Sequence, residues 1–106
     1  MLSGREKEVL NLGGDKVSPE RIEQVLASFA GVQQAAAFTV PNAAGIDELA
    51  VAVVAASFDA DALGRHCGRE LPAALVPTRF IQVTDIPRNE MGKIDRRRLA
   101  DLFLKA

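Results

Sequence analysis

Hydrophobic positions change their spacing several times along this chain, and each change marks an element. Val9, Leu10 and Leu12 form a short apolar segment that Gly13-Gly14-Asp15 stops, with Lys16 and Val17 following. Paired glycines reach positive φ at little steric cost, so this stretch predicts a small hairpin with a glycine turn. From Ser18 the spacing turns helical. Ser18 stands at a cap position, Pro19 at the first helical position, and Ile22, Val25, Leu26 and Phe29 make one apolar face. Glu20, Arg21, Glu23, Gln24 and Ser28 lie opposite, and Gly31 is placed to end the helix.

Val32 to Val40 predicts a strand with Val32, Ala36, Phe38 and Val40 inward. Its alanines favour helix, but the flanking β-branched residues and Pro41 argue for strand. After a turn over 41–45, Leu49 to Phe58 is almost continuously apolar, as in a strand covered on both faces. Asp59 or Asp61 starts a second helix running to about Leu71, with Leu63, Cys67 and Leu71 on one face. Gly64 and Gly68 either weaken it or permit close packing. Arg79 to Thr84 predicts a short or edge strand. A loop over 86–93 leads to a last helix capped by Asp95, with Leu99, Leu102 and Phe103 as its buried stripe. The order predicts an α+β domain: a small mixed sheet of about three main strands with helices packed on it, preceded by a short hairpin. One domain is expected over residues 8–106, with a polar linker over 1–7.

Composition narrows the functional classes. The 106 residues carry a formal net charge of −1, which argues against a general nucleic-acid or membrane-surface binder. Trp and Tyr are absent, removing the usual stacking platforms for single strands. The apolar run at 49–58 is too short to span a bilayer. Charge is uneven: residues 77–106 hold seven basic and four acidic side chains, with Arg96, Arg97 and Arg98 adjacent. A nearby anion and a solvated helix start both account for that. A single cysteine, Cys67, excludes an internal disulfide and fits a reducing, cytoplasmic setting. Beside His66 it makes no metal site, and it reads as a small buried hydrophobe. His66 reads as a helix-surface residue with no triad around it.

The loop Ile86-Pro87-Arg88-Asn89-Glu90-Met91-Gly92-Lys93-Ile94-Asp95-Arg96 holds the candidate chemistry. Gly92 removes bulk beside Lys93 and Pro87 stiffens the approach. A lysine so placed can bring a point charge to carboxylate or phosphate oxygens during phosphoryl or adenylyl transfer. No Walker A run is present, since only Gly92-Lys93 matches. On the residues alone, a solvent-facing structural lysine is the more ordinary reading. Gly13-Gly14 likewise reads as a plain turn and Glu23 as a solvated helix residue.

The segment resembles the closing motif of the AMP-forming superfamily of acyl- and aryl-CoA synthetases, peptide-synthetase adenylation domains and luciferase. The elements that match are Pro87, Arg88, Gly92, Lys93, Ile94, Arg96 and Leu99. A second signature fits the opening of the same C-terminal domain: Gly4-Arg5, Lys7, Gly14, Lys16, Pro19, Ile22 and Glu23. The Pro41-Asn42 turn and Leu75-Val76-Pro77 also agree, so the resemblance covers essentially the whole chain.

The resemblance implies roles. Lys93 would touch the substrate carboxylate and the ATP α-phosphate while acyl-AMP forms. Lys7 would be the hinge about which the domain turns, with Arg5 in the linker. Gly13, Gly14 and Lys16 would then shape the channel for the thiol. Glu23, Pro87, Gly92 and Arg96 would support the motifs. ATP and Mg2+ would be held mainly by a large N-terminal adenylating domain, with coenzyme A as the expected acceptor and a carrier-protein thiol as the alternative. Those pockets are not encoded here, so the chain alone is expected to be inactive, as an excised domain or a separate subunit. The alternative function is a stand-alone, non-catalytic interaction module acting on an adenylating partner or carrier protein.

Overall fold

In a computed structural model, residues 9–12 and 15–105 are described. The elements are β1 (Leu10–Leu12), β2 (Asp15–Val17), α1 (Pro19–Ala27), β3 (Val32–Pro41), β4 (Asp47–Ala55), α2 (Ala60–Glu70), a 3-10 turn (Ala73–Leu75), β5 (Arg79–Gln82) and α3 (Arg96–Lys105). β1 and β2 form the antiparallel hairpin. The main sheet runs β3-β4-β5, with β4 antiparallel to β3 and parallel to β5. This is the expected α+β fold with a mixed three-stranded sheet.

β4 explains the layering. Leu49, Val51 and Val53 join one buried cluster with Leu10, Val17, Ile22, Leu26, Leu63 and Cys67. Ala50, Ala52 and Val54 join the other, with Ala36, Phe38, Val40, Ile86 and Leu99. Alternate residues of one strand thus serve two faces. The first face is covered by the hairpin, α1 and α2. The second is lined by small alanines, and α3 lies on it, filling the space with Leu99 and Phe103. The Phe103 ring stands edge-on to Phe38 with centroids 6.3 Å apart.

Several expectations need correction. Val32 packs with the α1 face, not with Ala36, Phe38 and Val40, because the register shifts between Val32 and Gln34. A bulge there moves every earlier side chain to the other side of the sheet. The Ser18 side chain makes no capping hydrogen bond. α1 ends at Ala27, and Gly31, at φ 93°, instead turns the chain into β3. Asp59, not Asp61, caps α2, its Oδ1 accepting from the Ala62 amide at 3.1 Å. Leu102 is 44% exposed, because the sheet covers only the stripe through Leu99 and Phe103.

His66 is no free surface residue. Its Nε2 lies 2.9 Å from the Val25 carbonyl and 3.0 Å from Ser28 Oγ, and its ring meets Phe29 edge-on. It ties α2 to the end of α1. Cys67 is fully buried, and burial pushes its thiol upward, away from the reactive thiolate.

The β3–β4 turn is closed by Asn42. Its Oδ1 accepts from the amides of Ala44 (2.8 Å) and Ile46 (3.0 Å), and its own amide donates to the Ile46 carbonyl (2.9 Å). Gly45, at φ 80°, donates to the Asn42 carbonyl. The Asn42 amide group also donates to Glu48 at 2.9 Å, and Arg79 and Thr78 donate to the same carboxylate at 3.0 and 3.2 Å. The Asn42 bond first, then Arg79, holds the Glu48 carboxyl below the ordinary glutamate range. A depressed folded pKa contributes stability above the unfolded value and loses it as pH falls through the folded one. Glu48→Gln should therefore melt below wild type near neutral pH, with the gap closing under acid conditions. Paired melting curves across pH test this, and a gap that widens on acidification contradicts it.

Candidate functional site

The loop that carries Lys93 is built like the β3–β4 turn. Asn89 Oδ1 accepts from the amides of Met91 (2.9 Å) and Lys93 (3.1 Å). The Asn89 amide donates to the Lys93 carbonyl at 2.8 Å, and Gly92 donates to the Asn89 carbonyl at 3.0 Å. Gly92 has φ 82°, a left-handed conformation that disfavours other residues. Every one of these bonds has its counterpart, at the same offset, in the turn from Asn42 to Ile46. Among the described residues this bond pattern thus closes two Asn-x-x-Gly-x turns, and Lys93 occupies the place that Ile46 holds in the other.

Lys93 is consequently not on a loosely hinged loop. Both its backbone polar groups are held by Asn89, and its exposed side chain projects from a closed turn. The base of the turn is tied by an antiparallel bridge between Arg88 and Ile94, and by the Asp95 amide donating to the Pro87 carbonyl at 2.8 Å. Arg88 Nη1 reaches the Gly92 carbonyl at 3.2 Å. Asp95 then caps α3, its Oδ1 accepting from the Arg98 amide at 3.1 Å. Arg97 and Arg98 are exposed, as expected.

Glu23 departs from its expected role as a solvated residue. Its Oε2 accepts from Arg96 Nη1 at 2.6 Å and from the Ala37 amide at 2.9 Å, while the same Arg96 nitrogen donates to the Ala37 carbonyl at 2.8 Å. The two side chains are 16% and 13% exposed. The structure thus brings one residue from each sequence signature into direct contact. Lys16 is exposed on β2, opposite Asn11. Arg5, Lys7, Gly13 and Gly14 lie outside the described residues.

Asn89 is the site residue that sequence reasoning missed. The signal was available in the repeated spacing of Asn42 to Gly45 and Asn89 to Gly92, since Asn side chains commonly close such turns on nearby amides. Chemically, the site offers the Lys93 ammonium on a preorganised backbone, with the Arg88 guanidinium held against the same turn. Among the described residues no group of three or more His, Cys, Asp or Glu could hold a metal ion. No helix among them is long and apolar enough to cross a membrane. Two surface concavities, about 250 Å³ beside Glu20 and Gln24 and about 440 Å³ beside Gln33 and Gln82, do not include Lys93 in their linings.

The family model described as "AMP-binding enzyme C-terminal domain" matches residues 21–93. Among curated relatives, the probable CoA ligase CCL9 of Humulus lupulus is 38% identical over 106 residues, covering 97% of this chain and 20% of that protein. The sulfoacetate–CoA ligase of Cupriavidus necator is 39% identical over 101 residues, covering 92% of this chain and 20% of the relative. Among solved structures, apo MatB from Rhodopseudomonas palustris superposes with a TM-score of 0.82 at 30% identity, over 96% of this chain and 21% of that one. The chain spans about a fifth of the length of these proteins.

Proposed function

Because this chain belongs to the AMP-binding enzyme C-terminal domain family, we propose that it is the small catalytic domain of an ATP-dependent, AMP-forming acid–thiol ligase. In the first half-reaction a carboxylate oxygen attacks the α-phosphorus of ATP, giving acyl-AMP and pyrophosphate. In the second a thiol attacks the acyl carbonyl, forming a thioester and releasing AMP. The observation that carries the reading is Lys93 at the end of a closed turn, its backbone amide and carbonyl both bound to Asn89. A fixed backbone spares the reaction the cost of ordering the loop, and the ammonium adds charge where the carboxylate and α-phosphate approach one another.

In this reading ATP, Mg2+ and the acid are held mainly by a large adenylating domain. The chain alone catalyses neither half-reaction. Coenzyme A is the acceptor, supported by the CoA ligases among its relatives. Lys7 acts as hinge, and Gly13, Gly14 and Lys16 face the thiol after the domain turns. The lone buried Cys67 suits a reducing, cytoplasmic compartment.

The test is chemical protection of Lys93. In the ligase, reductive methylation of Lys93 should fall sharply when the acid and α,β-methylene ATP, which cannot be cleaved at that bond, are both present. Labelling that is the same with and without the pair would defeat the assignment. In that event the domain is left as an interaction module.

A further inference from the structure

We propose that Glu23 is a positioning residue for Lys93, acting through Arg96; the proposal rests on the reading of Lys93 given above. α1 and α3 lie on opposite faces of the sheet, in separate cores. Glu23 and Arg96 nevertheless meet at 2.6 Å around the edge of β3, where both also bind the backbone of Ala37. Among the described residues β3 is an outer strand, so the Ala37 amide and carbonyl on this edge meet no paired strand there. The carboxylate and guanidinium complete them. Together the three residues form a buckle that joins the two layers.

The position of Arg96 shows what the buckle holds. Arg96 is the first residue of α3, three after Lys93, and follows the bonds that close the base of the turn. The Asp95 carboxylate caps this helix start, as the dipole favours, but the first turn itself has no acidic residue and opens on Arg96, Arg97 and Arg98. Three cations there work against the helix dipole. Glu23 supplies the opposing charge from another element, and one guanidinium nitrogen serves both the carboxylate and the Ala37 carbonyl. The turn is rigid within itself through Asn89. Ile86 and Ile94, on either side of the turn, pack into the core beneath α3, and the buckle adds a polar tie that refers the turn to the edge of the sheet.

Reactions that depend on position lose rate steeply on displacement, by up to about a hundredfold for roughly 1 Å. In the ligase, Glu23→Ala should lower acyl-AMP formation about tenfold, mainly in kcat. It should leave thioester formation from supplied acyl-AMP unchanged, and add no further loss in the Lys93→Ala background. Glu23→Gln keeps an oxygen toward Ala37 and Arg96 but gives up the charge, so it should show a smaller loss of the same kind and carries the same comparison if the alanine variant does not fold. An equal loss in both backgrounds, or an equal loss in both half-reactions, would reduce Glu23 to a general stabiliser and overturn the proposal. The two readings fail separately. Lys93→Ala with normal acyl-AMP formation removes the role of Lys93, and the proposal with it. A normal Glu23→Ala beside a crippled Lys93→Ala removes the positioning role alone.

Discussion

Lys93→Ala in the ligase is expected to slow acyl-AMP formation by at least about a hundredfold, the usual scale for removing one charge that acts on the transition state. Thioester formation from supplied acyl-AMP should be far less affected, because the second half-reaction is assigned to the Gly13, Gly14 and Lys16 face. Lys93→Arg should rescue poorly. The guanidinium is a planar fork on a longer reach, whereas the ammonium is a compact point charge, and the turn that Asn89 closes leaves the backbone little freedom to adjust. Single-turnover measurement of acyl-AMP separates these cases. A near wild-type rate in Lys93→Ala would show that the lysine is structural.

The largest stability effect is expected at Phe38. This side chain is 1% exposed and heads the core beneath α3, where Ala36, Ala50 and Ala52 offer little bulk to fill a void. Phe38→Ala should cost about 3–5 kcal/mol, combining lost burial with an uncollapsed cavity and a lost edge-on contact to Phe103. Native domains are stable by only about 5–15 kcal/mol, so a domain of this size should come close to unfolding. Urea titration of the purified domain measures the difference. A loss below about 1 kcal/mol would mean that α3 settles onto the alanine face without Phe38.

Much of the fold was legible because its signals are local. The continuous apolar run of β4, the Pro19 start of α1 and the Asp95 cap of α3 each declare themselves within a few residues. The Lys93 motif and the Glu23 helix were both visible as separate signatures. Their contact was not, since Glu23 and Arg96 are 73 residues apart and meet only around a sheet edge. No periodicity reports which strand lies outermost. The place of Val32 was hidden for a similar reason: one bulge reverses the alternation, and its presence depends on pairing with β4. The role of His66 was hidden because its partners, Val25 and Ser28, lie at the end of another helix, 41 and 38 residues earlier in the chain. Asn89 is the different case: its signal is local, an asparagine three residues before the glycine that precedes Lys93.

The twin turns bear on how such a site can diversify. A backbone geometry that also closes an ordinary hairpin at Ile46 is not specific to chemistry; in the proposed function only the residue at its last position is. Between Asn89 and Gly92, the side chains of Glu90 and Met91 are exposed, and Met91 contributes to the turn through its amide. Mutation can therefore explore these two positions while the frame beneath Lys93 stays constant. The turn separates a fixed frame from two exposed positions, so what the loop meets can be retuned without rebuilding the frame.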